Sequence, residues 1–313
     1  MEETKVILFC SSRFAFPVMH QLAYFNQLSA VIIPSHCQEM IDQTNELLKP
    51  ANVPVITPGK EDLEEKAIEA IKKFSANTGL VLTFSYIIPY SVFSIPAKGF
   101  YNVHPGLLPS YRGADPMFYQ IINREKFAGV TIHKLDEGTD TGEIVLQEKI
   151  ILLSQDTYGM LSEKLAQVAG KLVTNLIKIL SMGFTPPSKP QDESKAHYYK
   201  KQVMQEFAID WHAMDAEQII ALIHACNPHN KGAAAKINNK IIRLLHVEKH
   251  NYDAGIVKPP GTIIALEDAY MDVSVLHDQL LRIKYLYMDE GFITPLYLKQ
   301  VGFTEGMIFE NIF

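Results

Sequence analysis

Tyr101-Asn102-Val103-His104-Pro105-Gly106-Leu107-Leu108-Pro109-Ser110-Tyr111-Arg112-Gly113 reads as a strand end running into a loop rich in proline and glycine. Successive strand side chains alternate faces, so Asn102 and His104, two residues apart, point to one side. Pro105-Gly106 stops the strand and lets the backbone approach a ligand closely. A carboxamide and a titratable imidazole directed into one space suit acyl transfer. One polarises a carbonyl, and the other stabilises an oxyanion or moves a proton. Taken alone, such a pair is more often a satisfied structural histidine.

The sequence downstream changes that balance. Gly129-Val130-Thr131-Ile132-His133-Lys134-Leu135-Asp136 alternates as a strand. It enters Glu137-Gly138-Thr139-Asp140-Thr141-Gly142, a turn bracketed by glycines, before Glu143-Ile144-Val145. Asp140 thus sits on a sharp loop between apolar strands, where a rigid scaffold holds a carboxylate in place. His133, Glu137 and Asp140 could be drawn as metal ligands. The loop lacks calcium-site spacing, however, and His133 lies within a strand, so no metal is expected.

Outward from this core the first two hundred residues alternate strand and helix. Strands are expected at Val6 to Cys10, Ala30 to Ile33, Val55-Ile56, Gly79 to Thr83 and Lys149 to Leu153. Helices are expected at Phe16 to Asn26, Glu39 to Leu48, Leu63 to Phe74 and Thr157 to Met182. Short apolar strands separated by helices indicate a doubly wound, mostly parallel sheet, an α/β fold. The first turn, Cys10-Ser11-Ser12-Arg13-Phe14, has no G-x-G-x-x-G, which argues against a dinucleotide site of the usual kind. Pro186 to Ser194 is polar and proline-rich and reads as a linker. Beyond it come a helix at Ala216 to Ala225 and five short strands: Ala233 to Ile237, Lys240 to Glu248, Gly261 to Ala265, Met271 to Leu276 and Leu281 to Met288. Turns at Asn238-Asn239, Asp253-Ala254-Gly255 and Pro259-Pro260-Gly261 separate them, and the spacing suggests a small β-barrel. The division expected is 1–185, a linker 186–204 and 205–313.

The chain has 313 residues, 47% hydrophobic and 20% charged, enough for two domains with large cores. The N-terminus is acidic and strand-like rather than a signal peptide, and no apolar run reaches the length of a membrane span. Cys10, Cys37 and Cys226 offer neither a disulfide framework nor a zinc spacing, so the expectation is a cytoplasmic protein with reduced thiols.

Asn102, His104 and Asp140, within N-V-H-P-G-L-L-P-S-Y-R-G, G-V-T and D-E-G-T-D-T-G, resemble the catalytic set of the folate-dependent formyltransferases. That family includes enzymes acting on methionyl-tRNA, on glycinamide ribonucleotide and on amino sugars. One position departs: the usual Ser before Leu-Leu-Pro is Gly106. The resemblance continues through P-Q-D-x-S-x-A-x-Y at 190–198 and Ile209-Asp210-Trp211, as in the methionyl-tRNA formyltransferase branch. That branch's N-P-W-P loop is here Asn227-Pro228-His229-Asn230. The resemblance places an oligonucleotide-binding-like (OB-like) barrel at the C-terminus, after the catalytic domain.

The resemblance implies that 10-formyltetrahydrofolate gives its formyl group to a primary amine, with no metal. Asn102 and a protonated His104 would stabilise the oxyanion, and Asp140 would accept the proton and orient His104. The nearby carboxylate is expected to raise the His104 pKa. Phe84-Ser85-Tyr86-Ile87-Ile88 looks like the family's pterin loop, and Gly106, Leu107, Leu108, Pro109, Asp136 and Gly138 are expected to close the folate pocket. Arg112 is a candidate for a substrate phosphate or carboxylate, its alternative being a solvated loop cation.

Charge bears on the acceptor. In the methionyl-tRNA branch the stretch after the second strand carries a basic insertion. Here Pro34 to Glu46 contains no Lys or Arg. From Lys201 onward there are ten Lys and Arg against fourteen Asp and Glu, a local charge of −4, and the whole chain carries −6. Such a surface does not suit a polyanion. The sequence therefore favours a small-molecule amine, such as a nucleotide-linked amino sugar. Initiator methionyl-tRNA is the alternative acceptor, and a catalytically silent binding module a lesser one.

Overall fold

A computed structural model describes residues 3–250 and 258–313, so the expected turn at Asp253-Ala254-Gly255 lies outside the described residues. Two compact units are present. The first comprises residues 1–116, 127–151 and 162–199, and the second residues 117–126, 152–161 and 200–313.

The first unit is built on β1 (Val6–Cys10), β2 (Leu28–Ile32), β3 (Val55–Ile56), β4 (Thr78–Leu82) and β5 (Phe100–His104), followed by the short β6 (Arg112–Gly113), then β7 (Phe127–Lys134), β8 (Ile144–Ile151) and β9 (Tyr198–Tyr199). Its main sheet has seven strands in the order β3-β2-β1-β4-β5-β7-β8. The first five pair in parallel, and β7 runs antiparallel to both β5 and β8. Every residue of β1 and β4 is buried, as the continuous apolar runs require of strands covered on both faces. In place of the strand expected at Lys149 to Leu153, one eight-residue strand runs from Ile144 to Ile151. Its alternating buried and exposed pattern marks a sheet edge, which a search for wholly apolar runs passes over.

The helices are α1 (Phe16–Tyr24), α2 (Gln38–Leu48), α3 (Leu63–Lys73), the short α4 (Tyr90–Phe93) and α5 (Pro116–Ile122), and α6 (Tyr158–Ser181). In α3, Leu63, Ala67, Ala70 and Ile71 form the buried stripe. Glu64 and Glu65 occupy its first turn and Lys72 and Lys73 its last, complementing the helix dipole. That stripe packs in one cluster with Ile7, Phe9, Ala30, Ile32, Val81, Ile88 and Phe100. Strand order reverses between β1 and β4, so the crevice beyond their carboxyl ends is where a ligand is expected in such a sheet. Ser12 and Thr83 hydroxyls meet there at 2.7 Å, and the Ser85 N–H donates to Ser11 Oγ at 3.0 Å.

The second unit contains α7 (Ala216–Ala225), β10 (Ala233–Ile237), β11 (Lys240–His250), β12 (Ile263–Leu266), β13 (Met271–Val275), β14 (Gln279–Met288), β15 (Gly291–Ile293) and α8 (Pro295–Gln300). Helix α7 starts where a capping box dictates: Asp215 accepts from the Gln218 N–H while Gln218 accepts from the Asp215 N–H. The strands form an antiparallel sheet in the order β10-β11-β14-β13-β12, with β15 on β14. Single bridges join Glu310 to Lys236 and Ile308 to Thr262, so the C-terminal segment spans the two sheet ends in a barrel-like closure. Trp211 is buried against Phe309, ring centroids 5.2 Å apart. Among the described residues no helix is long and apolar enough to cross a membrane.

Candidate active site

The carboxyl end of β5 carries Asn102 and His104, and antiparallel β7 sets His133 opposite Asn102 and Thr131 opposite His104. Cross-strand partners share a face, so four polar side chains converge on one side of the sheet. Thr131 builds the wall. Its hydroxyl donates to the Gly106 carbonyl at 2.6 Å and accepts from the Leu108 N–H and from Gln147 Nε2. Gln147 also donates to the Leu108 carbonyl, which fixes a turn containing a cis Leu108-Pro109 bond. A Cβ at position 106 would stand 2.8 Å from His104 Nε2 and 2.9 Å from Pro116 Cβ. The loop as it stands leaves no room for the serine usual in the family.

Asp140 adopts a left-handed backbone, φ 55°, in the turn before β8. Its Oδ2 accepts the Gly113 N–H at 2.8 Å and lies 3.6 Å from His104 Nδ1. Its Oδ1 accepts an N–H of Asn102 at 3.0 Å and lies 3.4 Å from His133 Nε2. The protonation pattern follows from these partners. A carbonyl only accepts, so His104 Nε2 carries a hydrogen toward Tyr111 O (2.6 Å), as does His133 Nδ1 toward Lys134 O (2.8 Å). The second N–H of Asn102 then goes to His133 Nε2 at 3.1 Å. With both N–H groups engaged, the oxyanion-donor role expected for this amide requires one of those bonds to be redirected.

Electrostatics correct a second expectation. Burial is the largest influence on His104, 4% exposed, and it lowers the pKa; Asp140 acts the other way but does not win. His133, 1% exposed, lowers it further. Burial would push the Asp140 carboxyl up, but the two flanking imidazoles and the Gly113 N–H outweigh it and hold the pKa well below the usual carboxylate range. An imidazole holds the carboxyl down only while it is protonated, but Asp140 is ionised near neutral pH with or without that help. Burial leaves His104 neutral at rest, its Nδ1 lone pair open to a proton.

The other residues singled out from sequence divide. After β4, Phe84 and Tyr86 pack in edge contact against the core, and Ile87 is 93% exposed, whereas Ile88 is itself part of the core. Thr83 holds φ 52°, a costly conformation for a β-branched residue. The backbone groups of Tyr86, Ile87 and Ile88 pair with no other protein group among the described residues. Apolar side chains beside unpaired peptide edges fit a flat heterocycle such as a pterin. Asp136 is spent within its own turn, accepting from the Gly138 N–H and the Thr141 hydroxyl. The expected substrate contact at Arg112 is corrected: the guanidinium is fully buried, and its five N–H groups go to Gln191, Glu193 and Tyr198. His133, which the sequence suggests only as a metal ligand, stands beside Asn102 and Asp140 instead. Its signal was its place in the strand alternation, on the same face as Thr131. Among the described residues no group of His, Cys, Asp and Glu is arranged to hold a metal ion.

Fold and site together define an α/β group-transfer enzyme with a carboxylate–imidazole pair at the strand ends. Residues 27–177 match the formyl transferase model, and residues 202–293 match the formyl transferase C-terminal domain. A methionyl-tRNA formyltransferase from Dictyoglomus turgidum is 31% identical over 268 residues, 83% of this chain and 84% of that one. Another from Dictyoglomus thermophilum is 37% identical over 196 residues, 62% of this chain and 61% of that one. The chain belongs to the folate-dependent formyltransferase family. Among solved structures, HypX from Aquifex aeolicus in complex with tetrahydrofolic acid superposes with a TM-score of 0.66 at 16% identity; the match covers 95% of this chain but 47% of HypX. The N-formyltransferase from Helicobacter canadensis, in complex with folinic acid and dTDP-3-aminofucose, gives 0.67 at 19% identity over 90% of this chain and 99% of that one. At such identities these two speak for the fold.

Proposed function

We propose that this protein moves a formyl group from 10-formyltetrahydrofolate to the primary amine of a small, nucleotide-linked substrate, using Asn102, His104 and Asp140. The observation that carries the reading is the pair of His104 Nδ1 and Asp140 Oδ2 at 3.6 Å, buried at the strand ends beside Asn102. An amine attacking the formyl carbon must shed a proton. Neutral His104 takes it at Nδ1, and ionised Asp140 stabilises the imidazolium that results. The charged ring, together with an N–H that Asn102 redirects from His133, then faces the developing negative charge on the formyl oxygen. When the carbon–nitrogen bond to the folate breaks, the same proton passes to the departing nitrogen. Phe84, Tyr86 and the backbone of residues 86–88 hold the pterin, and the Gly106 to Pro109 turn bounds the pocket.

The acceptor reading rests on charge. Residues 34–46 present Glu39, Asp42 and Glu46, and Arg13 is already paired to Glu39 and Gln43. His36 from this segment meets the Tyr86 hydroxyl at 2.9 Å, so an acidic surface borders the pterin loop. Initiator methionyl-tRNA remains the second reading, favoured by the relatives at 31% and 37% identity. The test supplies the folate donor with a panel of amines, including nucleotide-linked amino sugars and charged initiator tRNA, and follows deformylation of the folate. Turnover on an amino sugar supports the proposal, turnover on tRNA alone replaces the acceptor, and turnover on none overturns the reaction.

A further inference from the structure

Residues 188–199 form a strap laid across the site. Ser188 donates to Glu143 at 2.6 Å, Lys189 and Ile144 exchange backbone hydrogen bonds, and β9 pairs in parallel with β6. Gln191 is the central contact. Its two side-chain N–H groups donate to the backbone carbonyls of Asp140 and Gly142, each at 2.8 Å. Its Oε1 accepts from Arg112 Nε and Nη2, at 3.1 and 2.9 Å. A flipped amide would set NH2 against the guanidinium and oxygen against two carbonyls, so only one orientation satisfies every atom. The strap also acts through β6. Arg112 and Ala114 give their N–H groups to His197 and Tyr199 carbonyls, which turns the intervening Gly113 N–H toward Asp140 Oδ2.

We infer that Gln191 is a positioning residue for the Asp140 carboxylate, gripping the left-handed turn on which it stands while Arg112 locks Gln191 in place. This rests on the proposed role of Asp140. Asp140 is attached by its side chain to Asn102 and Gly113, and Gln191 supplies the matching hold on its backbone. Without it, the turn keeps its sequence but loses two donors, and the carboxylate drifts from His104 Nδ1.

Gln191→Met preserves length and removes the donors. The expected result is a kcat lower by about 10- to 100-fold, as a sub-ångström to ångström misplacement produces, with KM for both substrates within about twofold. The His104 ring, followed by NMR, should titrate at lower pH than in the unaltered protein, because a more distant Asp140 opposes the effects of burial and His133 less. Gln191→Glu keeps the pairing with Arg112 and sets an acceptor against both carbonyls. Its kcat should fall alike, which serves if Gln191→Met does not fold, while its added charge, which raises a nearby imidazole pKa, leaves the His104 comparison to Gln191→Met. Ser188→Ala, which loses a strap contact made to Glu143 alone, should leave all three readouts unchanged. An unaltered kcat, an unshifted His104, or equal losses in Ser188→Ala would each overturn the inference. If the unaltered protein transfers no formyl group, the reaction proposal fails and the NMR comparison alone decides the role of Gln191.

Discussion

At the scale of single residues, the proposed reaction gives separate duties to groups that a motif lumps together. Asp140→Asn retains shape and removes the charge that stabilises an imidazolium at His104. Turnover should fall by two orders of magnitude or more, about 3 kcal/mol in the barrier, with folate binding near normal; a near-unaltered kcat on the true acceptor would contradict the assignment. His104 also leaves a trace in stability. Its folded pKa lies below its unfolded value, so between the two the unfolded chain binds the extra proton. Stability must therefore rise with pH through that window and fall as the solution is acidified below about 6.5. The slope is at most about 1.4 kcal/mol per pH unit for each such imidazole. Half-buried His224 is shifted in the same direction. Urea unfolding between pH 7.5 and 5 should show the decline, and His104→Gln should flatten it.

At the scale of elements, the residues that read clearly were those whose local pattern is also the tertiary solution. Strand β1 is apolar throughout because it is central, and α7 begins at Ala216 because Asp215 and Gln218 cap it. The shared face of Asn102 and His104 is legible through strand alternation, and the sharp turn carrying Asp140 through its bracketing glycines. Contacts between residues far apart in sequence were not. Nothing local announces that Arg112 is buried under a segment about eighty residues away, so a polar proline-rich stretch reads as linker and the arginine as a substrate contact. The direction of the His104 shift was equally hidden, because a motif names the neighbouring carboxylate but not the depth of burial. The β6–β9 pair also exposes one glycine to test. Gly113 has φ 94°, and a Cβ there would collide with the Tyr199 carbonyl. Gly113→Ala should cost about 1–3 kcal/mol from backbone strain alone. It should also speed hydrogen exchange at the Ala114 amide, whereas wild-type protection there would contradict the pairing.

At the scale of the whole molecule, net charge separates the two acceptors. A protein of charge −6 that presents acids on residues 34–46 carries more acids than cations, so phosphates meet a net repulsive field. Binding of initiator methionyl-tRNA should be weak and no tighter than that of other tRNAs. Its salt dependence should be shallow, since each duplex phosphate neutralised contributes roughly −0.9 to the log–log slope. A salt titration by filter binding checks this, and tight, steeply salt-sensitive binding would favour the tRNA reading.

The strap also decides where this polypeptide can be divided. A gene fragment ended at residue 185, where composition suggests a seam, would encode the seven-stranded sheet without Gln191, Glu193 or Tyr198. The Arg112 guanidinium, which that strap covers, would be opened to water, and the Asp140 turn would lose the two donors that Gln191 gives to its carbonyls. Any excision, domain exchange or fusion intended to carry the carboxylate site intact must run at least to Tyr199. The working seam of the molecule lies beyond the proline-rich stretch rather than within it.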